Sequence, residues 1–357
     1  MSLPQGDQNV VQQSDAISGA SRPAGFAGSA LRAFKRHKRI VQAVVLILVT
    51  VFLATSVVKS WNTLTHYSWQ VRWPYLVVAF GLLVVQEISY GFIWQAILRR
   101  LGGHLDTLTS QRIYLGSEFV RYIPGNVWHV ITRVLWAERY GVPKAAGFAS
   151  MVIELATKIT SAALLFAVTL FFWTDIHALT SGISPQAIIS VAAIGIPLLL
   201  LGLKPSILRT MLNFGLRKVG REPIEFNLSY RDIIQITLYW MLSWAVAGIG
   251  FYVLVLALVP QPVDLSAVII ACGIYAIGWD IGFLSFITPS GLGVREAVLA
   301  FLLAAAFFGL TPLGPALGAV IALLARLLST GSEVVCIATA QALRGNIRLA
   351  GDAPMGQ

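Results

Sequence analysis

Eleven charged side chains fall inside or at the rim of long apolar runs: Glu87, Glu118, Arg121, Arg133, Glu154, Lys158, Asp280, Arg295, Glu296, Arg326 and Glu333. An ionised group at the middle of a bilayer costs about 2.5–3.5 kcal/mol on insertion scales, so a set this large implies mutual pairing or a wet internal cavity. For any one of them, snorkelling or a helix–helix ion pair explains the residue equally well. Taken together they suit recognition of a charged group. A guanidinium fork matches phosphate geometry, which nominates Arg121, Arg133 and Arg295 as phosphate ligands. Glu154, Lys158, Asp280 and Glu296 would then balance charge and gate the cavity. Bond-making signatures are missing: there is no HExxH, P-loop, nucleophile elbow or dinucleotide turn following a strand. No cofactor is implied. His66, His104, His129 and His177 are scattered, so no metal centre is expected.

Two interrupted segments must position these groups. Residues 280–296, DIGFLSFITPSGLGVRE, break an apolar run with Pro289, Gly291 and Gly293 before Arg295 and Glu296 open the next one. Proline removes a backbone donor and clashes with the preceding turn, and the glycines admit conformations that other residues resist. Residues 118–133, EFVRYIPGNVWHVITR, repeat the plan with Pro124, Gly125 and Asn126 between Glu118, Arg121 and Arg133. Irregular backbone at membrane depth is tolerated only where protein or a water-filled cavity satisfies it. A pair of such breaks, one in each half of a chain, points to a site built from broken helices. An ordinary loop at the membrane surface is the competing account of either break alone.

The composition fixes the class. The 357 residues are 57% hydrophobic and 12% charged, with a mean hydropathy of +0.75, whereas soluble domains carry about 25% charged residues. The fold class is all-α, a polytopic integral membrane protein. About eight crossings are expected, at 40–58, 74–98, 145–173, 185–203, 232–259, 264–287, 294–310 and 313–343, with 111–137 re-entrant. Residues 1–37 form a disordered, basic cytoplasmic tail, 38–343 one transmembrane domain and 344–357 a short cytoplasmic tail. The formal charge of +10 sits at the ends of apolar runs rather than in one basic domain, so topology accounts for it and nucleic acid is not a partner. Cys272 and Cys336 lie inside apolar runs and read as small buried hydrophobes.

With PSGLGVRE at 289–296, RYIPGNVWHVITR at 121–133, the Glu154 segment and Arg326 in order, the chain resembles the lysylphosphatidylglycerol synthase transmembrane-region family, the flippase-like membrane domain of multiple peptide resistance factor proteins. The resemblance covers roughly residues 40–343. The family pattern of arginine, two residues, Pro-Gly and a later arginine fits Arg121, Pro124, Gly125 and Arg133. A glutamate-centred helix fits Glu154, and a Pro-Gly-Gly-Leu-Gly-x-Arg-Glu turn fits Pro289, Gly291, Leu292, Gly293, Arg295 and Glu296. Ser290 replaces that turn's first glycine, Leu155 stands where a basic residue often follows the glutamate, and Lys158 stands where an acid is usual. In two-part relatives a soluble domain follows and transfers an amino acid from charged tRNA to phosphatidylglycerol. This chain ends sixteen residues after 341, so the resemblance implies the lipid-handling part without the synthase.

The expected function is to bind a phospholipid or lipid-linked precursor in a polar cavity and move its headgroup between the leaflets of the inner membrane. Catalysis is not expected. A membrane-embedded lipid-phosphate transferase, using Glu118, Asp280 or Glu296 as base, and a scaffold for a partner membrane glycosyltransferase are the alternatives, and a homo-oligomer stays open. Basic residues concentrate at 32–39, 99–100, 204–231 and 344–348, which puts both termini in the cytoplasm. Reporter fusions at Ala178 and Gln261 are expected to report the outer face; an inside signal from either would overturn this topology.

Overall fold

A computed structural model describes residues 69–118, 128–173, 185–218, 228–261, 263–285, 291–310 and 313–342, with isolated positions beside them. Among these the chain is helical without a strand. The helices are α1 (Trp73–Arg100), α2 (Thr107–Glu118), α3 (Trp128–Glu138), α4 (Lys144–Thr169), α5 (Pro185–Gly202), α6 (Pro205–Lys218), α7 (Tyr230–Leu258), α8 (Leu265–Leu284), α9 (Val294–Leu303, continued by a π turn Ala304–Phe308) and α10 (Leu313–Ala342).

Five of them, α1, α4, α7, α8 and α10, are long and apolar enough to cross a membrane. At 1.5 Å per residue the 20-residue α8 reaches about 30 Å, the thickness of a hydrocarbon core, and the others exceed it. Residues Ile189–Gly202 and Pro205–Phe214 make a sixth candidate, bent by 67°. Pro205 favours that bend, because the residue before a proline is pushed out of the helical region. Against the eight expected crossings, the described residues thus supply five single helices and one bent pair. Segment 294–310 differs: α9 has ten residues and its π turn five, about 22 Å in all and too short to span. Glycines at positive φ bound it, Gly293 (85°) before and Gly309 (74°) after. The expected crossing 40–58 lies outside the described residues except for Val51 and Val58, and Arg121, Pro124, Gly125, Asn126 and Pro289 lie outside them too. The segment expected to be re-entrant contains α2 and α3, each too short to cross.

α7 is the central post, with 67% of its spanning window buried against 33% for α10. It packs most extensively on α1 and next on α8. Its start is specified locally: Ser229 Oγ accepts from the Asp232 amide (3.1 Å) while Asp232 Oδ2 accepts from the Ser229 amide (3.1 Å), a reciprocal cap. Arg100, at the end of α1, donates to Asp232 (3.1 Å) and Gln235 (2.9 Å). At the opposite end the Arg72 amide donates to the Ala257 carbonyl (2.9 Å). The two helices are therefore antiparallel and clamped at both ends.

Helices in lipid gain little from hydrophobic association, so close approach of small residues carries much of the packing. A Cβ on Gly248 of α7 would stand 2.2 Å from the Cys272 Cα of α8, and one on Gly318 of α10 would stand 2.4 Å from the Ala300 carbonyl oxygen of α9. The break before α9 is closed the same way. Gly291 has φ 67° and lies against the Gly282 backbone, where a Cβ would meet the carbonyl oxygen at 2.6 Å. Gly291→Ala is expected to cost about 1–3 kcal/mol, because it combines left-handed strain with a backbone clash. Gly81→Ala, at a helical site with nothing within 4 Å, is the control and is expected to be neutral or to stabilise by up to about 1 kcal/mol. Thermal unfolding in detergent checks the pair, and equal effects would contradict the assignment.

Candidate functional site

The charged residues of the interior gather in three neighbourhoods joined along one face of α1. Glu87, Tyr90 and Trp94 lie three and four residues apart, so one stripe of that helix serves all three.

The first neighbourhood centres on Arg133 of α3, 1% exposed. Its Nη1 donates to Glu154 Oε2 of α4 (2.8 Å), its Nη2 to Glu118 Oε1 of α2 and its Nε to Ser117 Oγ (3.0 Å). The guanidinium also stacks over the Tyr114 ring, 3.7 Å from its centroid, while the Tyr114 hydroxyl donates to Glu154 Oε1 (2.7 Å). Trp94 flanks the guanidinium at 5.7 Å and is itself fixed by donation to Ser150 Oγ (3.1 Å). Every guanidinium nitrogen is thus engaged by protein, and two carboxylates close over a single cation.

One turn along α4, Lys158 lies buried among aromatic rings. Its ammonium nitrogen is 3.9 Å from the Tyr90 centroid, 4.2 Å from Trp279, 4.8 Å from Trp240 and 5.7 Å from Trp244. Asp280 of α8, also buried, is within electrostatic reach of it, and the Asp280 Oδ1 atom finds no donor among the described residues. Glu154 and Lys158, whose spacing would let them pair across one helical turn, are divided between these two neighbourhoods.

The third surrounds the start of α9. Glu296 Oε2 accepts from the Gly293 amide (2.5 Å), the half of a capping box that a glycine cap allows, and its Oε1 lies 3.8 Å from Arg326 Nη1 of α10. Arg295, 5% exposed, has its guanidinium 5.0 Å from the Tyr275 ring centroid. Its Nε and Nη2 atoms are buried and find no acceptor among the described residues. Gly282 of α8 makes room for this arrangement, since a Cβ there would stand 2.8 Å from Arg295 Cβ. Glu87 and Glu333 act electrostatically on Tyr275.

The structure therefore brings Glu118, Arg133 and Glu154 together, Lys158 with Asp280, and Arg295 with Glu296 and Arg326, while Gly291 and Gly293 shape the last group. Periodicity does not distinguish Tyr90, Tyr114, Trp240, Trp244, Tyr275 and Trp279 from ordinary core, because a buried aromatic in an apolar run carries no mark of the cation it will meet. The available signal is spacing: Tyr90 lies three residues from Glu87, and Trp240 and Trp244 lie one turn apart. Arg112 of α2 is also buried, 9% exposed, and its Nε and Nη1 atoms find no acceptor among the described residues. No group of His, Cys, Asp and Glu fit to hold a metal ion occurs among the described residues.

The chain matches the family model for the lysylphosphatidylglycerol synthase TM region over residues 39–334, a span that holds all three neighbourhoods. It belongs to that family. No curated protein matches the chain. Family membership and five to six apolar helices make this a multi-pass membrane protein. Within that family domain, Arg133 is the residue whose loss the geometry makes most costly. Arg133→Ala would strand the Glu118 and Glu154 carboxylates in the interior, and breaking a buried pair in this way costs about 3–5 kcal/mol. Combining it with Glu118→Gln and Glu154→Gln is expected to restore much of the loss. Thermal unfolding of the purified proteins checks this, and a single mutant as stable as wild type would refute the pairing.

Proposed function

We propose that this family member binds the anionic headgroup of a phospholipid or lipid-linked precursor in its polar interior and carries it between leaflets of the inner membrane, with both chain termini in the cytoplasm. The observation that carries the reading is Arg295. A buried guanidinium with open donors is costly to maintain, since each unmade hydrogen bond costs free energy. Its neighbouring acid, Glu296, is directed to the Gly293 amide and Arg326, which leaves Arg295 donors to face a ligand. A phosphate would receive both the bidentate fork and the field of the α9 N-terminus. The broken backbone before α9 supports the same reading, because the first amides of a helix are donors without helical partners.

Reconstitution into liposomes with a fluorescent phosphatidylglycerol tests it. Leaflet exchange is expected without chemical change to the lipid, and a modified lipid would favour the transferase alternative. Arg295→Lys keeps the charge but loses the fork, so lipid binding and exchange are expected to fall while the protein still folds; Arg295→Ala is expected to fall further. If binding per folded molecule stays unchanged while thermal stability drops, Arg295 is architectural and this reading fails.

A further inference from the structure

The rings around Lys158 form a binding geometry that the phosphate reading does not use. An aromatic face carries negative potential, and a cation within about 6 Å of the centroid is held by it, more strongly where water is excluded. Lys158 meets that condition with Tyr90 from α1, Trp240 and Trp244 from α7 and Trp279 from α8. Asp280 adds a buried carboxylate within electrostatic reach. Aromatic walls with one carboxyl group beside them are the composition of a site for an alkylammonium group.

Contacts independent of the lysine side chain hold these walls in place. Trp244 donates to Ser161 Oγ (3.0 Å), Trp279 stacks on Phe283 at 5.1 Å with rings 6° from parallel, and Tyr90 packs on Trp240 at 5.2 Å. The helices bearing Trp244 and Trp279 are locked by the Gly248–Cys272 approach. The pocket is therefore built by the fold rather than wrapped around the lysine, and shortening the side chain should open it rather than collapse it. The other carboxylate on this stretch of α4, Glu154, is committed to Arg133 and Tyr114.

We propose that this is an ammonium-binding site which the chain fills with its own Lys158, and that the built-in cation selects against positively charged lipid headgroups and for anionic ones. The selection half rests on the lipid-handling reading above; the site itself does not. A mobile ammonium arriving here would find the rings and Asp280 already occupied, and would meet like-charge repulsion in a medium of low dielectric. An anionic headgroup meets no such competitor.

The test begins with purified Lys158→Ala in detergent, titrated with ethylammonium chloride and read by tryptophan fluorescence and thermal stability. A saturable response that raises stability is expected in the variant, absent in wild type and absent when tert-butanol replaces the cation. Adding Asp280→Asn to the variant is expected to weaken ammonium binding by about tenfold or more. Lys158→Met, which fills the pocket without charge, keeps the question open to refutation should the alanine variant fold poorly. In a double-mutant cycle with Asp280→Asn, coupling of about tenfold or more in the folding equilibrium is expected. No ammonium response in a folded alanine variant, or no coupling in the cycle, overturns the site. Liposome exchange then compares fluorescent phosphatidylglycerol with a fluorescent ethylphosphocholine lipid: wild type is expected to prefer the former, and Lys158→Ala to narrow the ratio by about tenfold. An unchanged ratio in an exchanging protein overturns the selection. Absence of any exchange in wild type sinks the translocation reading and the selection with it, while the ammonium titration still decides the site.

Discussion

The pairing of Arg133 with two carboxylates sets the terms for the rest of this protein. A lone arginine at this depth would be expelled toward water or would draw water in. Here Glu118 and Glu154 flank the guanidinium, Ser117 takes the remaining nitrogen and the Tyr114 ring covers one face. These participants come from α2, α3 and α4, none of which could be moved without leaving an ion uncompensated. Such a pair contributes little net stability compared with an apolar core, but it penalises every arrangement in which the three helices are not together. The short helices α2 and α3 cannot cross a bilayer, so this interior ion cluster ties them to α4, which can.

The same constraint explains why α1, α7 and α8 carry aromatic rings where they face the interior. Four ring faces lie within reach of the Lys158 ammonium and stabilise it there, with Asp280 within electrostatic reach. Rings are bulky, so the helices must approach closely elsewhere to stay packed. Gly248 against Cys272 and Gly278 against Leu299 provide that approach. Packing and electrostatics are thus two aspects of one arrangement: small residues set the crossings, and the crossings set the depth at which each charge finds its partner.

Much of this is legible in the sequence, for identifiable reasons. The long apolar runs announce α1, α4, α7, α8 and α10 because a membrane demands about twenty apolar residues in succession. The charges within them announce mutual pairing or a polar interior, because lipid alone does not tolerate Glu154 or Asp280 there. What periodicity does not supply is partnership. Glu154 and Lys158 stand four residues apart, a spacing that favours an ion pair on an isolated helix. Tertiary structure sends one to Arg133 and the other to the rings. Segment 294–310 reads as a crossing because its residues are apolar, but apolarity does not fix length. Gly293 and Gly309, both at positive φ, cut the helix short at each end.

Arg133 and Arg295 show how burial alone misleads about function. They are 1% and 5% exposed, so exposure does not separate them. What separates them is the company of their nitrogens. Arg133 sits between three helices whose side chains use its Nε, Nη1 and Nη2 atoms, and a ligand could reach it only by displacing a carboxylate. Arg295 sits on the first turn after a backbone break, its Cβ seated on Gly282, with Tyr275 as one partner and two nitrogens without an acceptor among the described residues. Its adjacent acid bonds the helix cap and lies 3.8 Å from Arg326, so that Glu296, like Glu333, acts on Arg295 through space without accepting from its Nε or Nη2. The fold thus satisfies one buried arginine completely, tying three helices together through it, and leaves the other with open donors, which is the difference on which the proposed phosphate site rests.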